Sequence, residues 1–353
     1  MKALIPSGGA GTRLRPITHT SAKQLVPVAN KPILFYVLDD IAEAGVIETG
    51  IVVGETGDEI REAVGDGSAW GLKVTYLEQE APLGLAHTVL IARDFLGEDP
   101  FVMYLGDNML RDGIVSFVKR FEAEGCAAQI MVTQVEQPEQ YGVVQLDGDQ
   151  VIKLVEKPKD RISDLALVGV YLFDASVHDA VRALKPSGRG ELEITEAIQW
   201  LLDQGNDVKV HRVEGWWKDT GQPEDLLEAN RLVLEGSQPA NEGEVDGASK
   251  LSGTVILQKG ARIQNSKLRG PLIIGPNTVI KDSFIGPFTS IGPDCVVEDS
   301  EIEHSVIMEE CRLRGVRRLE DSLLGRGVVV ERSDDRPRSY QLMVGDSGRV
   351  GLI

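Results

Sequence analysis

The chain has 353 residues and a formal net charge of −18, from 37 lysines and arginines against 55 aspartates and glutamates. At that charge long-range repulsion disfavours nucleic acid and anionic membrane as partners, while a local cation cluster can still receive a small anionic substrate. The length suits two domains or one large domain with an appendage. Three scattered cysteines (Cys126, Cys295 and Cys311) form neither a disulfide framework nor a CxxC site, and Met1-Lys2 leads into too short an apolar stretch for a signal-peptide core. A reducing cytoplasm is therefore the expected compartment.

The first apolar run, Ala3-Leu4-Ile5, reads as a strand and leads into Gly8-Gly9-Ala10-Gly11-Thr12-Arg13-Leu14-Arg15-Pro16. Glycines there let a backbone approach a ligand and turn N–H groups toward phosphate oxygens. Leu14 stands where a dinucleotide fingerprint needs its third glycine, and no lysine follows a glycine at the Walker spacing. An ordinary glycine turn is the plain alternative, set against the clustering of Arg13, Arg15 and Lys23. Pro32 to Ala44, ending before Gly45, reads as a helix. Gly50–Val53, Lys73–Leu77 and Pro100–Leu105 read as strands, and Leu83 to Phe95 as a second helix. This alternation predicts an α/β domain over residues 1–235, a Rossmann-like, mainly parallel sheet covered by helices on both faces. Ligands gather at the carboxyl ends of such strands.

Several residues in those places suit phosphate chemistry. Asp107, after the run ending at Leu105, is placed to hold a hard cation, or else to form an Asp-Asn turn with Asn108. Asp219, in Trp216-Trp217-Lys218-Asp219-Thr220-Gly221, is a second such carboxylate or the cap of a helix starting near Pro223. Lys157 precedes Pro158, so its backbone is expected to stay extended, with its ammonium offered to a phosphate or to solvent. Gln24 and Gln79 have carboxamides able to pair with a base edge.

Residues 236–251, rich in small and acidic residues, read as a linker. Beyond them an aliphatic, a small residue four later and an aliphatic six later recur from Leu257, Ile274, Ile291, Ile307 and Leu324, at intervals of 17, 17, 16 and 17. That rhythm predicts a parallel β-helix over 252–335, one coil per unit, with a tail at 336–353. His304 raises a rival reading of this part as a hexapeptide acyltransferase with a histidine base. Exposed coil edges favour assembly instead, so a homo-oligomer is expected.

Taken in order, Gly8 to Pro16, Lys23 to Pro27, Gln79 to Ala86, Gly106-Asp107-Asn108, Tyr141 to Val144, Glu156-Lys157-Pro158, Gly190 to Thr195 and Trp217 to Gly221 resemble the sugar-1-phosphate nucleotidyltransferases. The match is nearest to the long-form thymidylyltransferases of glucose 1-phosphate, which carry a C-terminal left-handed β-helix. The resemblance implies a nucleoside triphosphate, with dTTP favoured over UTP, a sugar 1-phosphate, Mg²⁺, and no general base. It assigns the nucleotide to Gly8, Gly9, Gly11, Thr12, Arg13, Gln24, Gln79 and Gly84, with Arg13 and Lys23 on the phosphates. It assigns the sugar phosphate to Gly142, Glu156, Lys157, Tyr171 and Glu193, and the metal to Asp107 and Asp219. Pro6 and His87 depart from the family's usual residues. A non-catalytic sugar-nucleotide sensor is a further rival, which would not require the metal carboxylates.

Overall fold

The structure is a computed structural model that describes residues 1–9, 11–19, 21–332 and 343–351. Ala10 of the glycine loop and residues 336–342, 352 and 353 of the expected tail lie outside the described residues. By its internal contacts the chain divides into two units. One comprises Met1–Ala10, Ala22–Leu25 and Ile33–Asp219; the other comprises Gly11–Ser21, Val26–Pro32 and Thr220–Ile353.

In the first unit a nine-stranded sheet has the order Gln150–Glu156, Gly142–Asp147, Leu165–Phe173, Phe101–Tyr104, Lys2–Pro6, Glu48–Val53, Lys73–Glu78, with Ala128–Gln134 and then Val208–Arg212 branching from Leu165–Phe173. From Phe101–Tyr104 to Lys73–Glu78 every pairing is parallel, the half that the βαβ alternation builds. Leu165–Phe173 enters antiparallel against Phe101–Tyr104 through Val170–Phe173 and meets the hairpin Gly142–Asp147/Gln150–Glu156 at Ala166, while its other edge pairs with Ala128–Gln134. Alternation along the strands feeds a core on each face: Leu4 joins one cluster, and Ala3 and Ile5 the other. The first helix runs Ile33–Glu43, starting one residue after Pro32, which is taken up in a hairpin with Pro27. The helix expected over 83–95 divides into Leu85–Ile91 and Arg93–Leu96 at Ala92.

In the second unit three parallel sheets stack the coils of a β-helix. Leu257, Ile274, Ile291, Ile307 and Leu324 fall in one register, and Ile263, Ile280, Val297, Leu313 and Val330 in another. The small residues Ala261, Thr278, Cys295 and Cys311 are buried between those two rows. Corners come every five or six residues at positive φ: Asn277, Asp282, Phe288, Asp294, Asp299, His304, Glu310, Gly315, Asp321 and Gly327. Asn, Asp and Gly dominate because they tolerate the left-handed conformation. The one 16-residue interval is absorbed between Ile302 and Val306, at the corner held by His304, whose Nδ1 lies 2.5 Å from Asp321 Oδ1.

Most of the expected linker at 236–251 is instead the first coil, which begins at Ala240 after the helix ends at Gly236. Ala240–Asn241, Glu244–Val245 and Lys250–Ser252 pair in parallel with Val255–Leu257, Arg262–Gln264 and Lys267–Arg269. A coil with one neighbour buries little, so its side chains stay polar while its backbone supplies the ladder; Val245 alone of this segment packs on the interior cluster. A buried serine ladder also runs through the corners. The amides of Ser266, Ser283, Ser300 and Val316 donate to the hydroxyls of Ser249, Ser266, Ser283 and Ser300 at 3.0–3.1 Å.

A polar hub ties the helix Pro223–Gly236 to this unit. Asn230 Nδ2 donates to Phe288 O at 2.9 Å, and its Oδ1 accepts from the Ala29 amide at 2.9 Å and from Ser290 Oγ at 2.5 Å. Ala29 and Asn30 both have positive φ, as a two-residue hairpin between Val28 and Lys31 requires. For alanine this costs about 1–2 kcal/mol, which the Asn230 bond helps to offset. Among the described residues no helix is long and apolar enough to cross a membrane.

The serine ladder is directly testable. Ser283→Ala strands the buried Ser300 amide and should cost about 1–3 kcal/mol in urea unfolding of the full chain. A change below about 0.5 kcal/mol, the range of an ordinary surface substitution, would show that the ladder contributes nothing.

Candidate active site

Beyond Phe101–Tyr104 the backbone turns sharply. Leu105 N donates to Gly169 O at 3.0 Å and Gly106 N to Pro6 O at 3.1 Å, and a Cβ on Gly106 would strike the Ser7 hydroxyl. The turn delivers Asp107 to the start of a two-stranded antiparallel ribbon, Asn108–Leu110 with Trp217–Asp219, in which Asp219 lies opposite Asn108. Two carboxylates far apart in sequence thus become close neighbours through backbone pairing. Lys23, on the short 3₁₀ turn Lys23–Leu25, donates to Asp107 Oδ2 and stands 4.0 Å from Asp219 Oδ1. Burial alone would raise the Asp107 carboxyl. The Lys23 ammonium, its hydrogen bond and the Asn108 amide outweigh that and hold Asp107 below the usual carboxylate range.

The ammonium of Lys23 already occupies a cation's place beside both acids, so the pair suits a hard divalent ion. Among the described residues no group of three or more His, Cys, Asp or Glu could hold a metal, so two carboxylates would need substrate oxygens or water to complete the shell. Mg²⁺ is usually bound in that way, through one or two carboxylates plus phosphate oxygens.

A second group of expected residues gathers on the antiparallel half of the sheet. Gly142 and Glu156 are register partners, and a Cβ on Gly142 would lie 3.0 Å from Glu156 Oε2 and 2.6 Å from Thr195 Cγ2. Arg189 Nη1 reaches Glu156 Oε1 at 3.3 Å and Glu193 Oε1 at 3.6 Å. Thr195 Oγ1 donates to Glu156 Oε2 at 3.3 Å, and Ser187 Oγ to Glu193 Oε1 at 2.9 Å. Burial and the neighbouring Glu193 together push the Glu156 carboxyl up, against the pull of Lys157, Arg189 and Thr195. Tyr171 is buried and stacked on Phe173, and burial with the Glu156 charge raises its hydroxyl well above the usual range. Lys157 is exposed and departs from the extended backbone expected of it, with φ +40. Pro158 bars the right-handed helix, and the left-handed turn, with Lys157 N donating to Tyr141 O at 3.0 Å, is the alternative the chain takes.

Gly8, Gln79 and Gly84 form a third group. A Cβ on Gly8 would lie 3.3 Å from Gln79 Oε1, and Gln79 Nε2 donates to His87 Nδ1 at 3.0 Å. Gly84 has φ +100 and would press a Cβ against the Leu192 backbone, whose amide donates to Leu83 O at 2.8 Å. Gln24 is buried, and its Oε1 has no partner among the described residues. Gly9 is exposed with open space around it. Gly11, Thr12 and Arg13 belong to the second unit. There Gly11 caps a 3₁₀ turn at φ 59, and a Cβ on Gly221 would lie 3.0 Å from Arg13 Nη2. Sequence reasoning gave Asn108 only a turn and gave no site role to Arg189, Thr195 or Trp217. Asn108, Thr195 and Trp217 lie within the segments that carry the family resemblance, and Arg189 is next to one of them.

Residues 2–236 match the family profile described as Nucleotidyl transferase. The chain is 55% identical over 353 residues to a glucose-1-phosphate thymidylyltransferase of Streptomyces griseus, covering 100% of this chain and 99% of the relative. It is 48% identical over 357 residues to the low-salt glycan biosynthesis nucleotidyltransferase Agl11 of Haloferax volcanii, covering 100% of both. Among solved structures, a putative glucose-1-phosphate thymidylyltransferase from Bacillus anthracis in complex with a sucrose superimposes with a TM-score of 0.63 at 34% identity, covering 66% of this chain and 94% of that one.

The crowded carboxylates generate a pH prediction. A carboxyl whose folded pKa is raised costs stability above that pKa, and the cost vanishes as pH falls through it. Glu156→Gln should therefore raise the melting temperature of the substrate-free protein at pH 7.5 more than at pH 5. Equal shifts at both pH values would contradict the crowding.

Proposed function

Since the chain belongs to the nucleotidyl transferase family, we propose that it is a glucose-1-phosphate thymidylyltransferase, joining dTTP and glucose 1-phosphate into dTDP-glucose with release of pyrophosphate. The observation that carries this reading is the Lys23–Asp107–Asp219 cluster at the carboxyl end of the parallel strands, supported by 55% identity over the full length to such an enzyme. A phosphate oxygen of the sugar phosphate forms a bond to the α-phosphorus, and the bond to the bridging oxygen of pyrophosphate breaks. The attacking oxygen is already anionic, so no proton need be removed. Repulsion between anions is the obstacle, and positioned cations are the remedy.

Enzymes of this family generally use a divalent metal. In our reading Asp107 and Asp219 hold Mg²⁺, which when bound supplies charge to the α-phosphate. Arg13 and Lys23 neutralise the triphosphate and the departing pyrophosphate. The backbone of Gly8, Gly9, Gly11 and Thr12 cradles it. Gln24, with its unpartnered buried oxygen, Gln79, held by His87, and Gly84 receive the base. Lys157 takes the sugar phosphate, while Gly142, Glu156, Tyr171 and Glu193 line the sugar. Three free, buried cysteines fit a reducing cytoplasm, and we place the enzyme there. We further propose self-association through the β-helix, whose last strand exposes Val329.

Asp107→Asn should lower Mg²⁺-dependent pyrophosphate release by at least about 10²-fold with an unchanged thermal melt. Near-normal turnover would sink the assignment. In the same assay dTTP with glucose 1-phosphate should lead a panel of triphosphates and sugar 1-phosphates. A lead by UTP would move the activity to a uridylyltransferase.

A further inference from the structure

Asn108 is 2% exposed, and its carboxamide is fixed from both ends. Its Oδ1 accepts the indole N–H of Trp217 at 2.6 Å, and its Nδ2 donates to Asp107 Oδ1 at 2.9 Å. An indole nitrogen can only donate, so the amide oxygen must face Trp217 and the NH₂ must face Asp107. Turned over, the amide would set its oxygen against a carboxylate. The other oxygen of Asp107 is taken by Lys23, so the plane of this carboxylate is defined at both corners.

The support extends a layer further. Trp217 lies edge-on to Tyr141, with ring centroids 5.4 Å apart at 66°. Room for Asn108 comes from Gly169, which has φ +63 where the register of Leu165–Phe173 shifts against Ala128–Gln134. A Cβ at Gly169 would lie 2.8 Å from Asn108 Oδ1. A bulge inside a buried strand is thus matched to one carboxamide.

We propose that Trp217 and Asn108 are positioning residues for the transfer: the indole sets the orientation of the Asn108 amide, and the amide sets the Asp107 carboxylate toward its cation. The inference rests on the reading of Asp107 as a metal ligand. Partners of that outer kind are worth about 10- to 100-fold in metal affinity or activity.

The test uses the full chain with Trp217→Phe, Asn108→Ala, the double variant and Asp107→Asn. Phenylalanine keeps an aromatic ring against Tyr141 but removes the N–H. Two quantities are read: steady-state kcat and KM for sugar 1-phosphate, and Mn²⁺ dissociation by electron paramagnetic resonance with a non-hydrolysable dTTP analogue. Trp217→Phe should lower kcat about tenfold and weaken Mn²⁺ binding by a similar factor, leaving KM within about twofold. The double variant should be no worse than Asn108→Ala, because both act through one bond chain. The proposal is overturned if Trp217→Phe leaves kcat and Mn²⁺ binding within twofold, if it changes KM alone, or if the two losses multiply. Should Trp217→Phe fail to fold, Asn108→Ala with unchanged Mn²⁺ binding and kcat would overturn it equally. Retention of Mn²⁺ binding and turnover by Asp107→Asn would instead bring down the underlying reading of the site.

Discussion

Two carboxylates brought together in a largely buried place need a positive charge between them, and in the first unit Lys23 supplies it to Asp107 and Asp219. The ribbon Asn108–Leu110/Trp217–Asp219 brings the backbones that carry Asp107 and Asp219 together, and both carboxylates approach the Lys23 ammonium. Lys23 meets the requirement in the structure, and its burial is tolerable only because both partners are acidic. Breaking such a pair with no other cation at hand typically costs about 3–5 kcal/mol. Under the proposed assignment of Asp107 and Asp219 to a metal, the same charge balance predicts that phosphate substrate and divalent ion enter together. In that proposal each anion brought in needs a cation, and Lys23 turns to phosphate when the metal takes its place beside Asp107 and Asp219.

The Glu156–Glu193 group, which we propose lines the sugar, obeys a related rule with a different balance. Glu156 and Glu193 share Arg189, yet burial still pushes the Glu156 carboxyl up. A strained acid pair of this kind is consistent with the proposed role in holding sugar hydroxyls, since functional sites are where such local costs are kept.

Much of this was legible in the sequence because it is carried by patterns that cannot vary without losing burial. The coil rows at 257, 263 and their successors are in register as expected, since an aliphatic residue at each step has one interior to fill. Leu4 against Ala3 and Ile5 shows the same for the parallel strands. What escaped depends on backbone pairing or on long-range single bonds. The first coil at Ala240–Ser252 looks like a linker because its ladder is made by main-chain groups under polar side chains. The Trp217–Asn108 bond joins residues 109 apart, and the Gly169 bulge that makes room for it has no local signature beyond a glycine. Lys157 shows a third limit: its proline correctly excluded helix but could not choose between extended and left-handed backbone. In the second unit Asn230, a single polar residue in a helix read only for its cap, turned out to hold the Ala29–Asn30 hairpin and the Phe288 carbonyl.

The central claim is that Asp107 and Asp219 form one cation locus which Lys23 occupies until a metal and a triphosphate replace it. The most direct test is anomalous diffraction from crystals grown with Mn²⁺ and a non-hydrolysable dTTP analogue. The account predicts a manganese peak bound by both Asp107 and Asp219, with Lys23 withdrawn from Asp107 and bonded to a phosphate oxygen. A manganese peak away from these carboxylates, or Lys23 still paired with Asp107 beneath a bound nucleotide, would contradict it.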